Sequence, residues 1–201
     1  MPDRPTSDRP TSDRLAPERP TPEQRLDRLR AAEAAGEPLD LMPFWGHKPT
    51  RTGVIGAGCL SQWWPVTFTV DGVSYPSAEH WMMAQKARLF GDPDGLAAVL
   101  RAASPGAAKA AGRKVRGFDE ERWTAARYDI VVAGTLAKFG QHPELAGFLT
   151  ATGRKVLVEA SPYDRIWGIG MAATNPDAAR PSRWRGLNLL GFALMEVRER
   201  L

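Results

Sequence analysis

The sequence predicts a mainly α fold of the α+β kind: a compact single helical domain with a small β-hairpin and one late strand. Three observations lead there. Six segments beyond residue 41 combine helix-forming composition with recognisable starts and stops, only about three short strands stand against them, and their order lacks the βαβ alternation of a doubly wound sheet.

Taken in order, residues 1–40 stand apart. The first 22 residues hold six prolines and an imperfect repeat, DRPTS DRPTS DR, with no aliphatic or aromatic side chain between Met1 and Leu15, so they cannot build a core. We read 1–40 as a disordered Pro/Arg-rich tail in which residues 22–35 can form a short, marginal helix stopped at Gly36. The domain proper, 41–201, opens with LMPFWGHKP, where prolines and a glycine bracket Phe44 and Trp45. After a glycine-rich stretch, Val66, Phe68 and Val70 alternate, Asp71-Gly72 supplies a turn, and Val73 and Tyr75 continue, the pattern of a hairpin. A helix follows from Ser77, its N-cap, to Phe90. Further starts lie at Asp92-Pro93 and Ser104-Pro105, with proline where its missing N–H costs nothing. The longest helix runs from Asp119 to Gly140, with acids in its first turn and Lys138 in its last. Helices over 143–151 and about 187–200 flank the late strand, Lys155 to Ala160.

Composition bounds the function. With 43% apolar and 25% charged residues in 201, one domain plus a tail is expected. Nine acids against seven arginines leave 1–40 at net −2, while 14 acids against 20 bases leave 41–201 at net +6. A 161-residue body buries about 70% of its unfolded surface and needs neither disulfide nor metal to fold. That suits the one cysteine, Cys59, and a reducing compartment. No run of 18 apolar residues exists and the first residues are polar, so a soluble, cytoplasmic protein without a membrane partner is expected. The three histidines are isolated, and no HExxH, CxxC, GxSxG or Walker pattern occurs, so neither a metal nor another cofactor is expected.

Three constellations remain. Glu79 and Lys86 lie seven residues apart, an offset of about 20° on one helix face, with Met82 and Met83 between them and Trp81 nearby. An acid and an amine entering an apolar region suit proton transfer or covalent chemistry. The plainer reading is an N-terminal acid favoured by its helix and a lysine reaching to solvent. In SPYDRIWGIGM, Asp164, Trp167, Gly168 and Gly170 follow the late strand, where backbone can approach a ligand and an indole can stack on a base or sugar. A basic group, Lys109, Arg113, Lys114 and Arg116, suits phosphate oxygens or simply a solvated face.

Several strings together resemble the YbiA/NADAR family of N-glycosidases: FWG at 44–46, LSQWWP at 60–65, YPSAEHWMMAQKARLF at 75–90, GRKVRGF at 112–118, KFGQHPEL at 138–145, LVEASPYDRIWGIG at 157–170 and WRGLNLLGFALMEVR at 184–198. The resemblance runs in order from Pro43 to the C-terminus and leaves only the tail uncovered. It implies a mainly helical domain that hydrolyses the bond between ribose C1′ and a nitrogen. The substrates it implies are phosphorylated N-ribosides: early ribosylamino-pyrimidine intermediates of riboflavin synthesis, or ADP-ribose on guanine, including guanine within nucleic acid. On that basis Glu79, Lys86 and Asp164 are expected to be catalytic, with Lys86 able to hold the opened sugar as an imine. Trp81 and Trp167 are expected to line the base or ribose site, Arg113 and Lys114 to bind phosphate, and Asn188 to hydrogen-bond substrate. A module that binds ADP-ribose or another nucleotide without cleaving it is the alternative, and a plain nucleic-acid binder ranks last because a body charge of +6 is small. The sequence leaves the oligomeric state open.

Overall fold

Two short sheets and seven α-helices make up the computed structural model, which describes residues 19–48 and 54–201. The DRPTS repeat lies outside the described residues. In chain order the elements are α1 (Pro22–Ala34), β1 (Leu41–Phe44), β2 (Phe68–Val70), β3 (Val73–Tyr75), α2 (Ala78–Leu89), α3 (Pro93–Leu100), α4 (Pro105–Gly112), α5 (Glu120–Gly140), α6 (Pro143–Ala151), β4 (Val156–Glu159) and α7 (Leu189–Arg198).

The helix starts follow local chemistry. Ser77, Asp92, Ser104 and Asp119 each accept a backbone N–H three residues on, and proline occupies the first turn of α3, α4 and α6. The β2–β3 hairpin closes on Asp71 and Gly72, whose φ angles of 50° and 75° are those a two-residue primed turn requires. Strand β1 was not expected, because Pro43 sits inside it. It pairs in parallel with β4, Leu41 opposite Val156 and Phe44 opposite Glu159. Val156 and Ala160 donate to Asp40 and Phe44 carbonyls, so residues 40 and 44 face β4 and Pro43 faces away, where its missing N–H breaks no ladder bond.

Helix α2 is the centre of the body. Eight of its twelve residues are buried, against α3, α4 and α5. Two glycines set the approach of its neighbours: a Cβ at Gly134 on α5 would lie 2.1 Å from the Trp81 ring, and one at Gly112 on α4 would lie 2.1 Å from Met83 sulfur. A second apolar cluster joins β4 to α7 through Val158, Ile169, Trp184 and Phe192, and includes Leu26.

That last contact shows how α1 sits. The short helix has a full capping box between Thr21 and Gln24 and docks on the body. Leu26 is 5% exposed, Arg19 pairs with Glu196 and Asp129, Arg25 with Glu199, and the Glu33 carboxylate accepts from Ser182 and Arg180. Residues 19–34 are therefore bonded to the domain, in contrast to the free tail expected there; leucines spaced i, i+3 give a short helix one apolar stripe, and α7 offers its counterpart.

Candidate active site

Strands β1 and β4 are parallel, so their carboxyl ends open on the same side, and the N-terminal turn of α2 faces them. Between them lies a cavity of about 840 Å³. Its walls come from the segment after β1 (Trp45, Gly46, His47, Lys48), the segment before β2 (Gly58, Ser61, Gln62, Trp63), the start of α2 (Glu79, Met82), α4 with its cap (Lys109, Arg113), and β4 with its following loop (Glu159, Ser161, Tyr163, Asp164, Trp167).

Two carboxyl groups dominate the interior. Glu79 is 2% exposed; Trp63 Nε1 donates to its Oε2 at 3.2 Å, and its Oε1 is buried without a partner. Burial raises the Glu79 carboxyl to about 7, opposed by the Lys109 charge and the Trp63 hydrogen bond and reinforced by Asp164. Glu159, on β4, likewise leaves Oε2 buried and unpartnered, and burial with the Asp164 and Glu79 charges pushes it to about 8, Lys109 opposing. The amide nitrogen of Gln62 is a third buried atom without a partner. Two carboxyls and one amide, each with an unsatisfied buried atom, thus belong to residues that line a space a ligand can fill. Around them stand aromatic rings: His47 and Trp63 with centroids 5.5 Å apart, and at the mouth Trp45 and Tyr163, 6.3 Å apart and exposed.

The loop after β4 is shaped by close backbone approach. Asp164 Oδ1 accepts the N–H groups of Ile166 and Trp167 at 2.9 and 2.8 Å, and Ile169 N–H returns to the Glu159 carbonyl. A side chain at Gly168 would lie 2.7 Å from that same carbonyl, so only glycine lets the turn close under Glu159.

Of the residues expected from sequence, the structure brings Glu79, Asp164, Trp167 and Arg113 to one cavity. It does not bring Lys86. Seven residues return a side chain to the same helix face but advance it about 10 Å along the axis. Lys86 Nζ sits there over the rings of Phe118 (4.1 Å) and Trp123 (5.6 Å), where burial lowers its pKa and Glu120 opposes the shift. Trp81 is also elsewhere, packed on Gly134 with its indole N–H donating to the Ile130 carbonyl at 2.7 Å. Lys114 is exposed and off the cavity wall.

Asn188 is fully buried for another reason. At φ 54° it accepts Glu159 N–H and donates to the Leu157 carbonyl, both at 2.9 Å, while its own N–H reaches Gly168. It fixes the strand that carries Glu159, and both its side-chain polar atoms are occupied.

Glu159, Gln62 and Trp63 were missed, and Lys109, seen only as one of a basic group, is the lysine among the described residues whose charge acts on both buried carboxyls. A carboxylate within the apolar run LVEA was the one available signal for Glu159, since strands rarely bury one without a use. Among the described residues no group of three or more His, Cys, Asp or Glu is placed to hold a metal, and no helix is long and apolar enough to cross a membrane.

Residues 43–201 match the NADAR domain family. The chain belongs to that family. An N-glycosidase, R617 of Acanthamoeba polyphaga mimivirus, is 42% identical over 161 residues, covering 78% of this chain and 93% of the relative. N-glycosidase YbiA of Escherichia coli K12 is 34% identical over 138 residues, covering 69% and 76%. The NMR structure of E. coli YbiA superposes with a TM-score of 0.64 at 29% identity, over 86% of this chain and 91% of that one. The expected helical architecture is therefore the one NADAR relatives adopt, and the expected enzyme class, a glycosylase acting on N-glycosyl compounds, agrees with the activity both relatives are named for.

Proposed function

We propose that this NADAR protein hydrolyses the bond between ribose C1′ and a nitrogen in phosphorylated N-ribosides, taking ribosylamino-pyrimidine phosphates, ADP-ribosylated guanine, or both. The observation that carries the reading is the pair of carboxyls, Glu79 and Glu159, each with a buried oxygen that has no partner, on residues that line one aromatic-lined, basic-walled cavity.

Hydrolysis of such a bond needs an acid for the departing nitrogen, stabilisation of positive charge at C1′, and a base for water. Near neutral pH the two carboxyls share protons between them, since both titrate close to 7–8. Glu159, which leaves a buried oxygen free as Glu79 does but among the described residues receives no donor comparable to the Trp63 indole, is the acid. Glu79, held toward its ionised form by Trp63 and Lys109, is the carboxylate that faces the cationic sugar and takes a proton from water. As the C1′–N bond breaks, the nitrogen leaves with the Glu159 proton; the water oxygen bonds to C1′ and its proton goes to Glu79. The sugar hydroxyl and the free base are the products, and the pair is again once-protonated. Lys109 and Arg113 bind phosphate oxygens, and the Trp45, Tyr163 and Trp167 rings stack on the flat leaving group.

The test is to incubate the purified chain with ribosylamino-pyrimidine phosphate and with ADP-ribosylated guanosine, following free sugar phosphate and ADP-ribose by chromatography. Turnover of at least one, abolished in Glu79→Gln, is expected. A folded protein that returns both compounds unchanged refutes hydrolysis, and saturable calorimetric binding without cleavage would mark a binding module instead. Borohydride trapping should leave no sugar on the protein, because water attacks C1′ directly.

A further inference from the structure

Outside the cavity, one group stands out for its environment. Lys138, on α5, is buried to 1% exposure, and among the described residues no ion pair reaches it. Its Nζ donates to the Cys59 carbonyl at 2.6 Å and to the Ser61 carbonyl at 2.9 Å, and lies 5.0 Å from the Phe139 ring centroid. Desolvation lowers the ammonium to about 7, Cys59 opposing. A neutral side chain of the same length would fill the space without an uncompensated charge, so packing alone gives no reason for a lysine here.

The reason lies in what the two carbonyls belong to. Residues 57–60 form a single tight 3-10 turn, and the chain passes from it through Ser61 into Gln62 and Trp63. The Gln62 carbonyl accepts Glu79 N–H at 3.0 Å, and the Trp63 indole donates to the Glu79 carboxylate. The Gln62 amide and the Trp63 ring are themselves cavity wall. Lys138 therefore grips one end of a five-residue segment whose other end holds Glu79 by backbone and side chain.

We propose that Lys138 is a positioning residue for Glu79, acting through residues 59–63: its ammonium fixes the Cys59 and Ser61 carbonyls, and so places the Trp63 indole on the Glu79 carboxyl. Its kinetic consequence rests on the reading of Glu79 as the group that handles water; its structural consequence does not. Loosening the segment withdraws the indole N–H, which favours the ionised carboxylate, so the Glu79 midpoint rises.

The experiment uses the full chain with Lys138→Met, an unbranched neutral replacement of similar length, and reads the indole N–H resonances by ¹⁵N–¹H NMR across a pH series, with Trp63→Phe identifying the Trp63 signal. In the wild type that signal follows the coupled Glu79 and Glu159 carboxyls, and Lys138, itself lowered to about 7, adds its own step, which Glu79→Gln separates from the carboxyl step. In Lys138→Met its midpoint should rise by about half a pH unit or more, and kcat should fall about tenfold with KM within about threefold. A folded Lys138→Met with the Trp63 resonance and its midpoint unmoved overturns the proposal. Lys138→Arg keeps a cation and N–H donors beside the two carbonyls and should preserve the wild-type resonance; should Met not fold, Lys138→Gln, a shorter neutral side chain, is read in the same way, and a folded Gln variant with the Trp63 resonance and its midpoint unmoved overturns the proposal equally. If the wild type cleaves neither substrate, the glycosidase reading fails while the indole titration still decides the role of Lys138.

Discussion

Replacing Glu79 by glutamine should stabilise the protein, and only above acid pH. In an unfolded chain the carboxyl loses its proton near 4.5; in the fold it holds it to about 7. Between those values the native state binds a proton the unfolded state has released, so stability falls as pH rises through this window. The difference corresponds to about 3 kcal/mol, at 1.36 kcal/mol per tenfold change in proton affinity. Glutamine fills nearly the same volume and carries no charge at any pH, so the variant lacks this loss: it should match the wild type near pH 4.5 and exceed it by about 3 kcal/mol above pH 7. For a chain of this size that is about 6–12 °C in melting temperature. Thermal unfolding followed by circular dichroism at about pH 5 and about pH 8 measures it. Glu159 titrates in both proteins, and because the Glu79 charge helps to raise it, its own midpoint should fall in the variant, which adds to the gain above pH 7. A stability difference that does not grow with pH, or a variant less stable at pH 8 than its parent, would show that the carboxyl is not held in a desolvating site. Gained stability with lost turnover is the expected signature of a group kept for chemistry.

Other consequences follow from the same geometry. Lys109→Met should lower kcat/KM for an N-riboside phosphate by about 100-fold or more, whereas Lys86→Met, which removes a cation over Phe118 and Trp123 away from the cavity, should stay within about threefold; steady-state assays on both separate the two amines. Asn188→Leu leaves the Glu159 N–H and the Leu157 carbonyl unpaired in the core and places a branched side chain at positive φ, so urea unfolding should show a loss of about 3 kcal/mol or more. Leu26→Ala should cost about 2–3 kcal/mol by the same measurement, since α1 is packed on the body; a change below about 0.5 kcal/mol would mean the helix contributes nothing to it.

Local chemistry made most of the scaffold legible. Ser77, Asp92, Ser104 and Asp119 announce four helices because capping is decided within three residues, and Asp71-Gly72 announces the hairpin because its turn needs two residues at positive φ. Strand β1 was hidden by Pro43, and only its partner more than a hundred residues on shows that the proline faces the open edge. The site was half legible for a related reason. Glu79, Asp164, Trp167 and Arg113 stand in segments whose composition already looked unusual. Lys86 misled because angular spacing says which face a residue takes and nothing of which depth along the helix a cavity occupies. Glu159, Lys109 and Lys138 matter through neighbours distant in sequence, and no window of residues contains that information. Asn188 was rightly singled out as a polar residue in an apolar stretch, but a buried amide has two uses, and here the backbone of β4 takes both its atoms.

The parallel sense of β1 and β4 is what allows the site to exist. Parallel pairing sends both carboxyl ends to one side, which puts Trp45 and His47 beside Glu159, Tyr163 and Asp164; antiparallel pairing would send them to opposite ends of the sheet. Parallel strands also require a long crossover, and here that crossover contains α2 to α6, the elements that supply Glu79, Lys109 and the buried grip of Lys138. The positive end of α2 then points at the carboxyl ends of the strands. Near a helix N-terminus an acid is ordinarily ionised; the Glu79 carboxyl is raised to about 7 because desolvation, with the Asp164 charge, outweighs the Lys109 charge, the Trp63 bond and the Arg113 charge together. That balance depends on every wall of the cavity being present, so neither the stretch before α5 nor the stretch after it can reproduce the acidity of the site by itself.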